Sequence, residues 1–108
     1  QPGSPAYQVM VDAGFTDVWG ALRPGVRGYT CCQAADLSNR ISELHERIDY
    51  VWTRGLGDAR GPQSLQGQVD LFGIVPSDRI QNSAGEWIWP SDHAAVTASI
   101  LFPRGRGI

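Results

Sequence analysis

The segment RIDYVWT, residues 47–53, contains the pattern that decides the predicted fold. Residues 48–53 alternate and are rich in β-branched and aromatic side chains, which is typical of a strand. Asp49 is unusual in this strand, because burying an unpaired carboxylate among apolar neighbours is energetically costly. Alternation directs Asp49 away from the side chains of Ile48 and Tyr50. Asp49 therefore either lies on the solvent face of the strand or pairs with another polar group.

The rest of the chain predicts one to two helices and about three further strands. Ser4 and Pro5 are typical of a helix start, and Gly14 is typical of a helix end. Residues 15–22 are compatible with one more short turn. The further strands are predicted at residues 28–32, 68–75 and 94–102. Because the strands do not alternate regularly with helices, the pattern predicts an α+β fold or one layer pair of a larger sandwich.

The stretches between these elements predict loops. Residues 36–47 are ambiguous, since they combine helix formers with residues that favour turns. The other predicted loops are a glycine-rich stretch at 54–67, an irregular stretch at 76–90 and a tail at 103–108.

Composition excludes several classes of protein. The chain has 108 residues, enough for one small domain and not for two. Its 42% hydrophobic residues are ordinary for a globular chain, and no apolar run reaches the roughly 20 residues that span a bilayer. All nine basic residues are arginine and the net charge is −2. This charge does not indicate nonspecific binding of nucleic acid or of a membrane surface.

The two cysteines, Cys31 and Cys32, are adjacent. Adjacent cysteines cannot join distant segments, which excludes a disulfide scaffold. Two packed thiols are the favoured interpretation, and a vicinal disulfide is the alternative. Neither form defines the compartment. Two histidines and two adjacent cysteines lack the spacing of a zinc motif, so the sequence predicts no zinc site.

The segment PSDH, residues 90–93, stands at the start of the last predicted strand. His93 can transfer a proton near neutral pH or donate to a phosphate oxygen. Asp92 offers the hard oxygen ligand that Mg²⁺ prefers. A polar turn is the favoured interpretation of these residues taken alone. Together with Asp49 they indicate more, because a carboxylate that pairs with His93 would select its tautomer and support its charged form.

Residues 47–50 (RIDY) followed by residues 91–93 (SDH) resemble the closing half of the endonuclease/exonuclease/phosphatase superfamily. This group includes deoxyribonuclease I, abasic-site endonucleases, inositol polyphosphate 5-phosphatases and bacterial sphingomyelinases. Further pieces occur in the order of the family, namely GFTDVW at 14–19, GYT at 28–30 and Val96 after the SDH motif. The resemblance extends from Ser4 to about residue 102. It implies one half of a two-sheet α/β sandwich of the deoxyribonuclease I type.

The resemblance also implies roles for single residues. His93 is similar to the family histidine that contacts the scissile phosphate, and Asp49 to the carboxylate that orients that histidine. Asp92 is similar to a carboxylate that helps to hold the divalent metal, Mg²⁺ or Mn²⁺. Asn39 and Arg47 are candidates for contacts with the substrate phosphate or the site loop. A turn-forming role for Asn39 and a solvated or structural role for Arg47 are the favoured alternatives.

The family's first Asn and Glu metal ligands, its central His or Tyr and its Asp-x-Asn motif belong upstream of Gln1. We therefore expect residues 1–108 to be a single partial domain, the C-terminal part of a divalent-metal-dependent phosphoesterase or nuclease. By itself the chain is expected to bind Mg²⁺ poorly and to catalyse poorly. Half a sandwich exposes an apolar sheet face, so the expected partners are the missing N-terminal half or a second copy. The resemblance implies a phosphate-ester substrate such as DNA or a phospholipid, and it leaves the compartment undefined, since a secreted and a cytoplasmic bacterial protein both fit.

A second reading comes from a different class of protein. A non-catalytic interaction domain can retain this part of the fold and bind a partner through the exposed sheet. Retention of Asp49, Asp92 and His93 favours the enzyme, whereas the missing upstream motifs favour the interaction domain. Four other aromatic or imidazole side chains have simpler interpretations. Trp19, Trp87 and Trp89 are expected to pack, with stacking on a base or sugar as the alternative for Trp87 and Trp89, and His45 is expected on the surface.

Overall fold

A computed structural model of the protein describes residues 1–55 and 65–101. Within these residues it is a small α+β fold with two α-helices and short antiparallel strand pairs. The predicted α+β class is therefore confirmed at this level. The predicted tail at 103–108 and most of the predicted loop at 54–67 lie outside the described residues. No helix among the described residues has both the length and the apolar character needed to cross a membrane.

Helix α1 (Pro5–Asp12) begins and ends as the sequence predicts. Ser4 is extended, and its side chain accepts a hydrogen bond from the backbone N–H of Tyr7 at 3.2 Å. Pro5 follows at the first helical position, where a missing N–H costs nothing. Gly14 has a φ of +91°, a conformation that glycine adopts readily just after a helix.

The predicted strand at 48–53 is regular over its last two residues only. Strand β1 (Thr16–Asp17) leads directly into helix α2 (Val18–Leu22), and β1 pairs antiparallel with β2 (Trp52–Thr53). The first part of the predicted strand is not regular because its amides have another acceptor. The backbone N–H groups of Ile48 and Asp49 both donate to the hydroxyl of Thr30, at 3.1 Å each.

Two other predicted strands are also shortened, and one is absent as a regular element. Strands β3 (Gly67–Phe72) and β6 (Ala95–Ile100) are hydrogen-bonded to each other. β3 ends before residue 73 because the Asp78 carboxylate accepts from the amides of residues 73, 74 and 75, at 2.9, 3.0 and 3.3 Å. The strand predicted at 28–32 is wrong, since the only β-pairing there consists of single bridges at Cys31.

The stretch predicted as irregular contains a short hairpin. A 3₁₀ turn (Pro76–Asp78) precedes strand β4 (Ile80–Gln81), which pairs antiparallel with β5 (Trp87–Ile88). Two-residue strands are too short to show the alternation on which strand prediction depends. The ambiguous stretch at 36–47 forms turns and contains no helix. There the Asp36 carboxylate accepts from the backbone amide of Ser38, which competes with helix formation.

The chain divides into two units, of which the first comprises Gln1–Val26, Tyr50–Asp70 and Ala98–Ile108. Its described part contains an aromatic cluster of Tyr7, Tyr50 and Trp52, with ring centroids 5.2–5.5 Å apart. The Tyr7 hydroxyl also donates to the carboxylate of the buried Asp17 at 2.8 Å. The apolar residues buried in this unit are Val18, Trp19, Leu65 and Val69. Trp19 thus packs, as predicted.

The second unit comprises Arg27–Asp49 and Leu71–Thr97. Three of its buried side chains are polar, namely Thr30, Gln33 and Arg47, and its buried hydrophobic residues are Cys31, Trp89 and Ala94. Trp89 is fully buried, donates its backbone N–H to Leu37 O at 3.0 Å, and donates its indole N–H to Asn39 O at 2.7 Å. Trp87, in contrast, is 56% exposed, so the predicted packing role is confirmed for Trp89 and wrong for Trp87. Every residue predicted for the site lies in this second unit.

Candidate active site

Thr30 and Cys31 form the centre of the site, because two other segments are hydrogen-bonded to them. On one side, the amides of Thr30 and Cys31 donate to Glu46 O, at 2.7 and 3.0 Å. On the other side, the amide of Ala94 donates to Thr30 O at 2.8 Å, and Cys31 forms an antiparallel bridge to His93. The segment at 46–49 and the segment at 93–94 are thereby held on either side of the same two residues.

This arrangement brings Asp49 and His93 together over a sequence separation of 44 residues. His93 Nδ1 and Asp49 Oδ2 are 2.6 Å apart. Since a carboxylate accepts hydrogen bonds, Nδ1 is the donor, and Nε2 is the nitrogen left for other partners. Both side chains remain partly open to solvent, with 37% of His93 and 42% of Asp49 exposed. The predicted Asp–His pair is confirmed as a contact.

The environment of His93 favours its charged form. The hydrogen bond from Nδ1 to the Asp49 carboxylate raises the pKa of His93 above its ordinary value of 6.5. Partial burial opposes this effect, whereas the negative charges of Asp49 and Asp92 add to it. His93 is therefore a positively charged donor over a wider pH range than a free histidine.

The turn that carries Asp92 is organised by Ser91 and Gln33. The backbone N–H of His93 donates to Ser91 Oγ at 3.1 Å, and the amide of the buried Gln33 donates to Asp92 O at 2.8 Å. The Asp92 residue itself is exposed, so its carboxylate is accessible to a cation or to water. The polar-turn interpretation of residues 91–93 therefore holds, and a functional role for them stays a prediction.

Cys31 and Cys32 are joined by a disulfide, which is the alternative that the sequence did not favour. The Cys31 sulfur lies 3.7 Å from His93 Nε2. Cys31 is buried at 2% exposure, whereas Cys32 and His93 are half-buried. One atom from each of these three residues can act as a metal ligand, and these atoms lie within 4.8 Å of one another. Sequence analysis missed this group, because the cysteines and His93 are about sixty residues apart along the chain.

Asn39 and Arg47 have structural roles in the described residues. The Asn39 side chain accepts from the amide of Ala34 at 2.9 Å and donates to Gln33 Oε1 at 2.7 Å. This is the turn-forming role that the sequence favours. Arg47 is only 8% exposed and interacts within the molecule, which agrees with its structural interpretation. A phosphate contact for either residue stays a prediction.

Thr30 is the site residue that sequence reasoning overlooked. It is fully buried, and its hydroxyl accepts both the Ile48 and the Asp49 amides, so it positions the backbone that carries the Asp49 carboxylate. The only sequence signal was the GYT segment at 28–30, which was read as part of a strand.

The described donors fit a hard divalent cation only in part. The exposed Asp92 carboxylate suits Mg²⁺, which is often held by one or two carboxylates together with water and substrate phosphate. No group of three carboxylates lies together among residues 1–55 and 65–101. Cys31, Cys32 and His93 are soft or intermediate ligands and do not suit Mg²⁺.

Comparisons of the chain with protein-family models, with curated proteins and with solved structures gave no match. The function is therefore inferred from the geometry of the site.

Proposed function

We propose that this chain is the C-terminal part of a divalent-metal-dependent phosphoesterase of the endonuclease/exonuclease/phosphatase type, with Asp49, Asp92 and His93 in its active centre. The observation that carries the proposal is the 2.6 Å contact between His93 Nδ1 and Asp49 Oδ2. This contact orients the His93 ring and stabilises its charge, which is what donation to a phosphate requires. The fold implied by this proposal is one half of a two-sheet α/β sandwich of the deoxyribonuclease I type.

In this proposal the three residues have separate roles. Asp49 holds the His93 ring in one orientation and stabilises its charge. His93 Nε2–H then donates to a phosphate oxygen, and the raised pKa of His93 favours the protonated ring that makes this donation. Asp92 provides one hard oxygen ligand for Mg²⁺ or Mn²⁺ beside His93. A bound divalent ion supplies positive charge that stabilises the phosphate in the transition state.

Mn²⁺ offers a direct test of the metal role, because this paramagnetic ion broadens nearby NMR signals. The chain, with its disulfide intact, is titrated with Mn²⁺ in the presence of diethyl phosphate, a simple phosphodiester. The His93 ring signals are expected to broaden at lower Mn²⁺ than those of His45, which lies on the surface with 62% of its side chain exposed. Asp92→Asn is expected to remove this selectivity.

Asp36→Asn is the matched control, because Asp36 is an exposed carboxylate in the same unit and has the same charge. It is expected to leave the selective broadening of His93 unchanged. Equal broadening of His93 and His45, or selective broadening that persists in Asp92→Asn, would contradict the metal role of Asp92.

The reading frame upstream of Gln1 tests the family assignment. We expect a Gly-Asp-x-Asn motif shortly before Gln1 and a Glu further upstream. The longer protein should then hydrolyse bis(p-nitrophenyl) phosphate with Mg²⁺ or Mn²⁺, and EDTA, Asp92→Asn and His93→Ala should each suppress the activity. A start codon or an unrelated domain immediately upstream would count against the proposal, as would hydrolysis by the 108-residue chain at the rate of a complete domain.

One observation favours the second candidate, a non-catalytic interaction domain. Several large apolar side chains of the second unit are about half exposed, and they are Phe72, Val75, Ile80 and Trp87. Such side chains are available to a partner, either a second copy or the missing half of the sandwich. Light scattering at micromolar concentration tests whether these side chains mediate association: association is expected, and a clean monomer would count against the interaction domain.

A further inference from the structure

Three side chains that can ligate a metal lie close together, and two of them have no part in the roles described above. They are Cys31, Cys32 and His93, and their ligand atoms lie within 4.8 Å of one another. In the structure the two sulfurs form a disulfide, and a disulfide sulfur lacks the thiolate charge that binds a metal strongly. Reduction would release two thiolates at this position.

The spacing suits a tetrahedral ion. With Zn–S near 2.3 Å and Zn–N near 2.0–2.1 Å, the sulfur and nitrogen ligands of tetrahedral Zn²⁺ lie about 3.6 Å apart. Cys31 Sγ and His93 Nε2 are 3.7 Å apart, so this edge of the tetrahedron already exists. Cys32 is half-buried and adjacent in sequence, and His93 is partly exposed, so an ion can approach from solvent.

The other nitrogen of His93 is arranged as in many zinc sites. Histidines that bind zinc usually donate their second ring N–H to a carboxylate, which selects the tautomer and makes the ligand nitrogen more basic. His93 Nδ1 donates to Asp49 Oδ2 at 2.6 Å, and this leaves Nε2, the atom that faces Cys31, with the lone pair in the neutral ring. The ligand, its orientation and its supporting carboxylate are therefore present together.

We propose that reduction of the Cys31–Cys32 disulfide creates a Zn²⁺ site formed by both thiolates and His93 Nε2, with the fourth position open. The sequence predicted no zinc site, because the spacing of the ligands along the chain matches no zinc motif. The inference goes beyond the proposed phosphoesterase and does not depend on it. Zinc at Nε2 and a phosphate at Nε2 exclude each other, so reduction with zinc would switch off the use of His93 as a phosphate donor.

The reduction step needs a two-electron reductant, and a dithiol is the class we name. The dithiol gives two electrons and two protons to the S–S bond, which breaks into two thiols while the dithiol becomes a cyclic disulfide. Binding of Zn²⁺ then displaces the two thiol protons to solvent, so the site forms without any further redox change.

The test compares the same chain in its oxidised and reduced forms. The protein is reduced with dithiothreitol, desalted without oxygen and titrated with Co²⁺, which reports thiolate ligation through charge-transfer absorption in the near ultraviolet. Zn²⁺ is then added in competition. We expect one equivalent of Co²⁺ to produce this absorption in the reduced protein only, and Zn²⁺ to remove it. Because the chain has two cysteines, the signal can arise only at this site.

Three variants test the two kinds of ligand and the carboxylate that supports His93. Cys32→Ser is expected to weaken the thiolate absorption to that of a single thiolate, and Asp49→Asn to lower zinc affinity roughly 10–100-fold, as loss of a supporting carboxylate does elsewhere. His93→Ala should lower affinity further and change the visible spectrum of bound Co²⁺. His45→Ala is the matched control, since it removes the other histidine of the chain, and it should bind like the unaltered protein.

Reduced protein that binds Co²⁺ no better than oxidised protein would overturn the inference. Equal affinities in His93→Ala and His45→Ala would also overturn it. The outcome is separable from the proposed function, because Mn²⁺ binding at Asp92 is measured with the disulfide intact and zinc binding only after reduction.

Discussion

Each of the two units of the chain is stabilised internally by a different kind of interaction. The first relies on side-chain packing, as in the cluster of Tyr7, Tyr50 and Trp52 with centroids 5.2–5.5 Å apart. The second relies on single hydrogen bonds to buried polar groups, among them the fully buried hydroxyl of Thr30. Ring packing tolerates small shifts, whereas a hydrogen bond requires particular atoms at particular distances. The candidate site residues lie in the second unit, where single hydrogen bonds specify positions.

The largest expected loss of stability comes from removing Trp89, the fully buried tryptophan of the second unit. Trp89→Ala removes a fully buried ring and the indole N–H that donates to Asn39 O at 2.7 Å. The free energy of unfolding is expected to fall by about 3–5 kcal/mol, measured by urea denaturation. Trp87→Ala is the control two residues earlier, because Trp87 is 56% exposed. It should change stability by less than about 0.5 kcal/mol. Similar losses of stability in both variants would contradict the stabilising role assigned to Trp89.

A smaller effect is expected from the buried hydroxyl that positions Asp49. Thr30→Val keeps the shape of the side chain but leaves the Ile48 and Asp49 amides without their acceptor. The loss in stability is expected to be about 1–3 kcal/mol, the cost of unsatisfied buried polar groups. Thr53→Val, in strand β2 of the first unit, should change stability by less than about 0.5 kcal/mol, since valine suits strands equally well. If both variants lose equal stability, the second unit does not depend more than the first on a hydrogen bond to a buried hydroxyl.

The smallest effect concerns the pKa of one imidazole. Asp49→Asn removes the charged acceptor of His93 Nδ1, so the pKa of His93 should fall back toward 6.5, measured by NMR titration of the ring. Asp12→Asn removes an equal charge from an exposed residue of the first unit and should leave this pKa unchanged. No change in Asp49→Asn would mean that the 2.6 Å contact does not stabilise the imidazolium.

The direction of this shift also sets the pH dependence of stability. Because the pKa of His93 is raised in the folded protein, the contribution of His93 to the free energy of unfolding is complete below the unfolded pKa of 6.5. The contribution is lost as the pH rises through the folded pKa. Unfolding curves from mildly acidic to mildly alkaline pH should show this loss in the unaltered chain and a weaker one in Asp49→Asn.

Local sequence patterns predicted the elements that depend on local interactions. Helix α1 follows from the Ser4 cap and Pro5, and strands β3 and β6 follow from residues that suit a sheet. Predicted strands were too long where a side chain outside the strand accepted its backbone hydrogen bonds, from 18 or 19 residues away for Thr30 and from three to five residues away for Asp78. Thr30 accepts the amides at the start of the predicted strand at 48–53, and Asp78 accepts those at the end of the strand predicted at 68–75.

For the candidate site, the sequence alone indicated which residues to propose for it. A carboxylate inside an apolar segment and a histidine at a strand start are unusual enough to predict that Asp49 and His93 pair. Only the tertiary structure decided that Thr30 and Cys31 bring the two together and that the Cys31 sulfur lies 3.7 Å from His93 Nε2. The physical reason is that hydrogen-bond partners and metal ligands are selected by distances of a few ångströms in space. Those distances depend on how the intervening chain folds and leave no periodic signal in the sequence.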